Sequence, residues 1–204
     1  MSNLKSAKQY FFVLTLAVLA ALFVRASVIE VFKITTTIMA PNLLKGDLVF
    51  VWKPGLGFSV PLFGRSQTAL PSYGSVVVYT DGTQNYIKRV LALPGDSVQI
   101  LNDQFGFQSS RVPSVSTGCG KEHHPKKAYD VCKSEPSIEN LREQIVPKGH
   151  IFVATDHRTR RKGYDSLDII PVSKIVGEAK WVWFSIDPDQ RGKIRWNRFF
   201  KTVP

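Results

Sequence analysis

Fifteen uncharged residues in succession, Tyr10–Val24 (YFFVLTLAVLAALFV), constrain this chain more than any other feature. Arg25 interrupts the run and Ala26–Ile29 resume it. A span of about 20 residues at 1.5 Å each crosses roughly 30 Å of hydrocarbon, and an arginine near its end can reach back to the interface. Lys5 and Lys8 precede the run and no acidic residue does. The positive-inside rule then puts the N-terminus in the cytoplasm and the rest outside. The expected organisation is a cytoplasmic N-terminus and single-pass anchor over residues 1–29 in the inner (cytoplasmic) cell membrane. Residues 30–204 follow as one extracytoplasmic domain. A cleaved signal peptide is the competing reading, since Val24-Arg25-Ala26 loosely resembles a small-residue processing site. The arginine beside that site and the continuing apolar run argue against it.

Composition narrows the partners. The formal charge of +11 favours anionic surfaces. Membrane lipids are the expected partner of a basic chain that carries its own apolar segment. Nucleic acid is not, because no helix-turn-helix, zinc-finger or aromatic RNA-binding signature is present. Cys119 and Cys132 are the only cysteines. In an oxidising compartment they most simply pair, closing a loop worth about 3 kcal/mol. A metal site recruiting His123 and His124 is the weaker alternative, and neither a metal nor a cofactor is expected.

After the apolar run the chain reads as mostly β. Short apolar or alternating segments lie between Gly, Pro and Asp turns: Val28–Ile34, Asp47–Lys53, Ser75–Tyr79, Tyr86–Leu93, Ser97–Leu101, Ile151–Ala154 and Ile175–Phe184. A short helix is possible near Ser137–Gln144. Residues 102–147 are more polar, hold both cysteines and read as an insertion or small subdomain. Gly55–Ser72 is a long apolar loop, either a hairpin packed on the core or a membrane contact through Phe58, Leu62 and Phe63. The basic, aromatic tail around Trp196–Phe200 fits a membrane surface or a solvated terminus.

Four ordered segments carry a resemblance. They are Phe23–Ile34 (FVRASVIEVFKI), Ile38–Asp47 (IMAPNLLKGD), Tyr86–Asp96 (YIKRVLALPGD) and Phe152–Arg158 (FVATDHR). Together they resemble the type I signal peptidase family: the linker after the anchor, the Ser-Met-x-Pro-Thr-Leu-x-x-Gly-Asp box, the lysine box and Phe-Val-x-Gly-Asp-Asn-Arg. Ile175–Ala179 (IVGEA) falls where that family has a similar Val-Gly-x-Ala. The resemblance implies a mostly β domain behind a transmembrane helix, working through a serine–lysine dyad. It makes Lys88 the general base, gives Met39 and Pro41 a place in substrate binding, and makes Asp156 and Arg158 supports of the site's shape. From the residues alone, Lys88 also reads as an edge-strand lysine, and Asp156 with Arg158 as a salt-bridged turn.

The chemistry of the dyad tests the match. A lysine base must lose its proton near neutrality, a shift of about two units from 10.4, which burial among apolar neighbours supplies. The nucleophile position, however, holds Ile38, which has no oxygen to activate. Thr35-Thr36-Thr37 precede it. On an extended chain Thr37 points to the other face, and Thr36 lies about 7 Å along the strand. Thr37 therefore stands as a substitute nucleophile of low expectation. Asp165-Ser166 before Pro171-Val172 resembles the family's Asp-Ser-Arg-x-x-Gly-x-Val segment, nominating Ser166 as a supporting residue. An ungapped count from Asp156 puts Arg161 there instead. By resemblance the chain removes N-terminal signal peptides from exported preproteins, or processes a pilin precursor as conjugative-transfer relatives do. The alternative of a different class is a pseudoenzyme that binds signal peptides or export partners without hydrolysis.

Overall fold

The computed structural model describes residues 2–27, 29–53, 59–60, 64–65, 69–101, 104–107, 110–112, 118–124, 127–133, 141–158 and 167–204. One helix, α1 (Ser2–Ser27), leads into eighteen strands: β1 (Ile29–Lys33), β2 (Asp47–Trp52), β3 (Ser59–Val60), β4 (Gly64–Arg65), β5 (Val76–Thr80), β6 (Asn85–Ala92), β7 (Ser97–Leu101), β8 (Gln104–Phe107), β9 (Ser110–Val112), β10 (Gly118–His124), β11 (Lys127–Lys133), β12 (Leu141–Ile145), β13 (His150–Ala154), β14 (His157–Arg158), β15 (Leu167–Pro171), β16 (Ile175–Asp187), β17 (Lys193–Ile194) and β18 (Lys201–Thr202). Among the described residues no helix is long and apolar enough to cross a membrane. Along α1 the described side chains are those of residues 8–19 and 22, all exposed, so the full apolar window of the sequence is not covered.

A nine-stranded antiparallel sheet organises the domain, in the order β1-β2-β16-β5-β6-β13-β15, with β17 and β18 also on β16. Its centre is the run Val76–Val78, a continuous apolar segment with no polar alternation, as a strand covered on both faces requires. Val76 and Val78 join a cluster with Met39, Leu43, Val49, Val51, Ala179 and Val182. Val77, Tyr79 and Val90 join another with Ile151, Val153, Ile170, Val172 and Ile175 on the opposite face. Fully burying each aliphatic side chain contributes roughly 1.5–3 kcal/mol, so these two layers fix the register of the central strands. Gly177 lets β16 cross β2 closely, because a Cβ there would stand 2.7 Å from the Trp52 carbonyl oxygen.

Residues 102–147 add two small sheets. One runs β12-β7-β8-β9; the other, β10-β11-β14, pairs β14 parallel to β11. The helix expected near Ser137–Gln144 is corrected: Leu141–Ile145 is β12, paired with β7 at Leu141↔Ile100 and Ile145↔Ser97, and 137–140 lie outside the described residues. Cross-strand pairing outweighs the modest helix preference of Leu-Arg-Glu-Gln. In the loop Gly55–Ser72, Ser59–Val60 pairs with Gly64–Arg65, while Phe58, Leu62 and Phe63 lie outside the described residues. A second correction concerns the chain before Met39. β1 ends at Lys33, and turns follow in which Ala40 N–H donates to Thr37 O (3.0 Å) and Leu43 N–H to Met39 O (2.9 Å). Thr35–Ile38 is therefore not an extended strand, and alternation does not decide which threonine faces the site.

Candidate active site

β1 and the turn after it face the hairpin between β5 and β6 across a cleft of ≈ 330 Å³. One wall carries Phe32 to Thr36 and Ile38; the other carries Val78 and Gln84 to Ile87. Both walls are chain segments rather than helices, so the opening suits an extended peptide. Ile38 is half-buried in the wall and packs on the cluster of Met39, Val76 and Val78, as does Ile87 opposite. The position that would bear a nucleophile is thus filled by an aliphatic side chain anchored in the core. Thr36 lines the cleft; Thr37 does not, and is exposed.

Lys88 sits one residue beyond Ile87 on β6. Successive residues face opposite sides, so Ile87 pairs with Val78 on the cleft face and Lys88 with Val77 on the other. Only 5% of Lys88 is exposed. Its Nζ stands 3.8 Å from Asp168 Oδ2 on β15. Tyr79 Oη–H donates to the same oxygen at 3.3 Å. Burial first, then the nearby Asp168 charge, raise the Tyr79 phenol well above its ordinary value, so it stays protonated.

A buried polar frame holds these walls. Arg89 is fully buried, and its Nε and Nη2 donate to the two carboxylate oxygens of Asp156 at 2.7 and 2.6 Å. Its Nη1 donates to the carbonyls of Gly74 (2.6 Å) and Pro204, and its guanidinium lies 4.2 Å from the Tyr129 ring centroid. Asn42 Nδ2–H donates to Asp156 Oδ2 (2.8 Å) and Asp130 O (2.7 Å). Arg158 donates both Nη groups to Glu122 on β10, which also accepts from Tyr129 Oη–H at 2.9 Å. Burial lowers the affinity of Arg158 for its proton, but the Glu122 charge outweighs this and raises it overall. At the other end Arg198 donates to both oxygens of Asp47 (3.0 and 2.5 Å) and to Asn42 O (2.8 Å). His157 N–H donates to Ile38 O at 2.9 Å, which ties this frame directly to the cleft wall.

The expected residues separate into groups. Lys88, Asp156 and Arg158 are all buried, and Ile38 lines the cleft. Met39 is fully buried in the core and Pro41, after the cis Ala40–Pro41 bond, is half-buried; neither lines the cleft, because the turn at 37–42 carries them past it. Ser166 and Arg161 lie outside the described residues. A disulfide joins Cys119 to Cys132, which face each other across the β10–β11 hairpin. Among the described residues no His, Cys, Asp and Glu group could hold a metal. Missed from the sequence were Asp168, Glu122, Asp47 and Arg198. Asp47, inside the second box, was the one a motif could have flagged.

Sheet, cleft and lysine define a mostly β domain that presents an extended-peptide groove beside one buried lysine. A family model described as signal peptidase, peptidase S26, matches residues 7–184, and the chain belongs to that family. It is 29% identical to a signal peptidase I of Rickettsia typhi, over 94% of this chain and 83% of the relative. It is 27% identical to a signal peptidase I of Rickettsia bellii, over 96% of this chain and 77% of the relative. A solved signal peptidase I from Enterococcus faecalis overlays with a TM-score of 0.36 at 18% identity, covering 55% of this chain and 98% of that one.

Proposed function

We propose that this protein receives the signal-peptide region of exported preproteins in the cleft between β1 and the β5–β6 hairpin and holds it without serine–lysine hydrolysis. The observation that carries this reading is Ile38: an aliphatic side chain in the cleft wall, packed on the core, where the family keeps its nucleophile. A peptide lying alongside Phe32–Ile38 gains main-chain hydrogen bonds from the exposed edge of β1, and its small side chains fit a groove walled by Ile38 and Ile87. A pilin precursor is a client of the same chemistry. Thr36 in the wall supports a second reading, cleavage by a threonine nucleophile.

The site works at a membrane in this reading. At 1.5 Å per residue, the 26 residues of α1 reach about 39 Å, more than the roughly 30 Å of hydrocarbon. Tyr10, Phe11, Phe12, Val13, Leu14, Leu16 and Val18 along it are all exposed. All four tryptophans are also exposed: Trp52, Trp181, Trp183 and Trp196, at 36, 42, 39 and 72%. Trp52 and Trp181 line an apolar cleft of ≈ 380 Å³ with Ile29 at the foot of α1 and Phe200 of the tail. Aromatic rings with Lys193, Arg195 and Lys201 nearby suit the headgroup layer. These features support an anchor, and Lys5 and Lys8 before its apolar run favour an N-terminus in the cytoplasm with the β domain outside.

The test combines binding and cleavage in proteoliposomes. A photo-crosslinking group placed at Asn85 should capture a preprotein through its signal peptide, and the captured precursor should remain uncut. Stoichiometric processing by the wild-type chain that is lost in Thr36→Val would establish the second reading. Neither capture nor processing of any preprotein would overturn both.

A further inference from the structure

The family's lysine does not stand alone in this chain. Val90, Val153 and Asp168 lie side by side across β6, β13 and β15, so Asp168 shares the face on which Lys88 is buried. The 3.8 Å between Lys88 Nζ and Asp168 Oδ2 is an ion-pair distance. Lys88 is buried while the Asp168 side chain keeps 44% of its surface. We propose that Asp168 holds Lys88 as a fixed ammonium and so removes it from general-base chemistry, which makes this carboxylate, with Ile38, a second determinant of a site that binds without cutting. The inference deepens the binding reading above and rests on it for its functional meaning.

Two opposing effects act on a buried lysine. Burial alone favours the neutral amine, the form a serine–lysine dyad requires. A carboxylate within about 4 Å favours the ammonium. The neighbouring strands show which groups contribute. β5 presents Tyr79, β15 Asp168, β13 the uncharged Val153, and β6 itself Tyr86 on the face of Lys88. Tyr79 is a protonated donor to Asp168 at 3.3 Å. Tyr86 stacks on Tyr79 at 5.3 Å and donates its own hydroxyl to Asp81 at 3.0 Å. Neither phenol supplies a competing negative charge, and β15 brings the Asp168 carboxylate to 3.8 Å from Lys88 Nζ. An active dyad lysine needs the reverse surroundings: an apolar face with no carboxylate in reach.

The experiment reads the lysine directly and then the chemistry. The full chain is labelled with 13Cε-lysine in detergent micelles, and the Lys88 resonance is assigned by its loss in Lys88→Arg. In wild type the resonance should titrate at or above the ordinary lysine value. In Asp168→Asn its midpoint should fall by about one pH unit or more, a change of about tenfold in proton affinity. A wild-type midpoint well below ordinary lysine, or one unmoved in Asp168→Asn, overturns the proposal. Cleavage of a preprotein by wild type would instead refute the binding reading, and the titration would still decide the role of Asp168.

Discussion

Replacing Asp156 by alanine tests the buried frame where it is most concentrated. Asp156 is fully buried and accepts three charge-assisted or amide hydrogen bonds, from Arg89 Nε, Arg89 Nη2 and Asn42 Nδ2. Its removal leaves the guanidinium of Arg89 fully buried, with Gly74 O and Pro204 O as acceptors but without its two-pronged carboxylate partner. Breaking such a pair from one side costs roughly 3–5 kcal/mol. Against a typical domain stability of about 5–15 kcal/mol, this is about a fifth of the total or more. Urea unfolding followed by tryptophan fluorescence should show the midpoint falling with little change in slope. Arg89→Ala and the double variant complete a cycle, and the coupling should reach about 2 kcal/mol, because the double variant no longer buries a lone charge. Asp156→Asn should cost nearly as much. It removes the charge, and its amide group must meet either the Arg89 or the Asn42 donors. A cost below about 1 kcal/mol for Asp156→Ala, or strict additivity in the cycle, would refute the assignment of Asp156 as the frame's counter-charge.

Three further outcomes follow from other parts of the structure. Gly46→Ala should unfold the domain at markedly lower temperature, since Gly46 has φ +95° and a Cβ there would stand 1.8 Å from Ile186 O; calorimetry showing an unchanged Tm would contradict it. Cys119→Ser with Cys132→Ser should cost about 3 kcal/mol for this short loop, and reductant should do the same to wild type but nothing further to the variant. Asp81 accepts from Thr83 N–H, Thr83 Oγ1–H and Gln84 N–H, which holds its carboxyl below the usual carboxylate range. A depressed folded-state value gives a contribution present above the ordinary carboxylate range and lost as pH falls through and below it. Amide exchange at Thr83 and Gln84 should therefore accelerate, relative to its intrinsic rate, only in strong acid, and in Asp81→Asn should be fast at every pH.

The sequence was most legible where burial sets the pattern. Seven segments read as strands from their apolar content each overlap a strand of the structure: β5 and the second half of β6 are buried on both faces, and β16 buries alternate residues over its first half. β8 to β12 were not legible. β8 and β9 have only four and three residues, and the register of the whole group comes from pairing rather than from periodicity. The same limit explains the frame. Arg89 and Asp156 are 67 residues apart, and Arg158 and Glu122 are 36 apart, so no local pattern links either pair. The turn at Thr37–Asn42 was hidden for a different reason: its threonines have high strand preference, and the backbone hydrogen bonds that bend it are invisible in residue types.

The two departures at the site are coupled by geometry. Ile38 and Ile87 close one face of β6 with aliphatic surface, while Lys88 and Asp168 form an ion pair on the other. A serine–lysine dyad needs both features reversed: an oxygen on the cleft wall, and a lysine free of carboxylates that can lose its proton. Ile38→Ser alone restores the first and leaves the second. Asp168→Ala alone favours a neutral lysine but leaves nothing for it to activate. Neither single change supplies both features, whereas the His157–Ile38 hydrogen bond and the Asn42–Asp156–Arg89 frame, which position the wall, involve neither substituted side chain. On the proposed reading, a chain that keeps the buried frame but carries Ile38 at the nucleophile position retains the shape of the groove without serine–lysine chemistry, as a signal-peptide binder built on a peptidase scaffold requires.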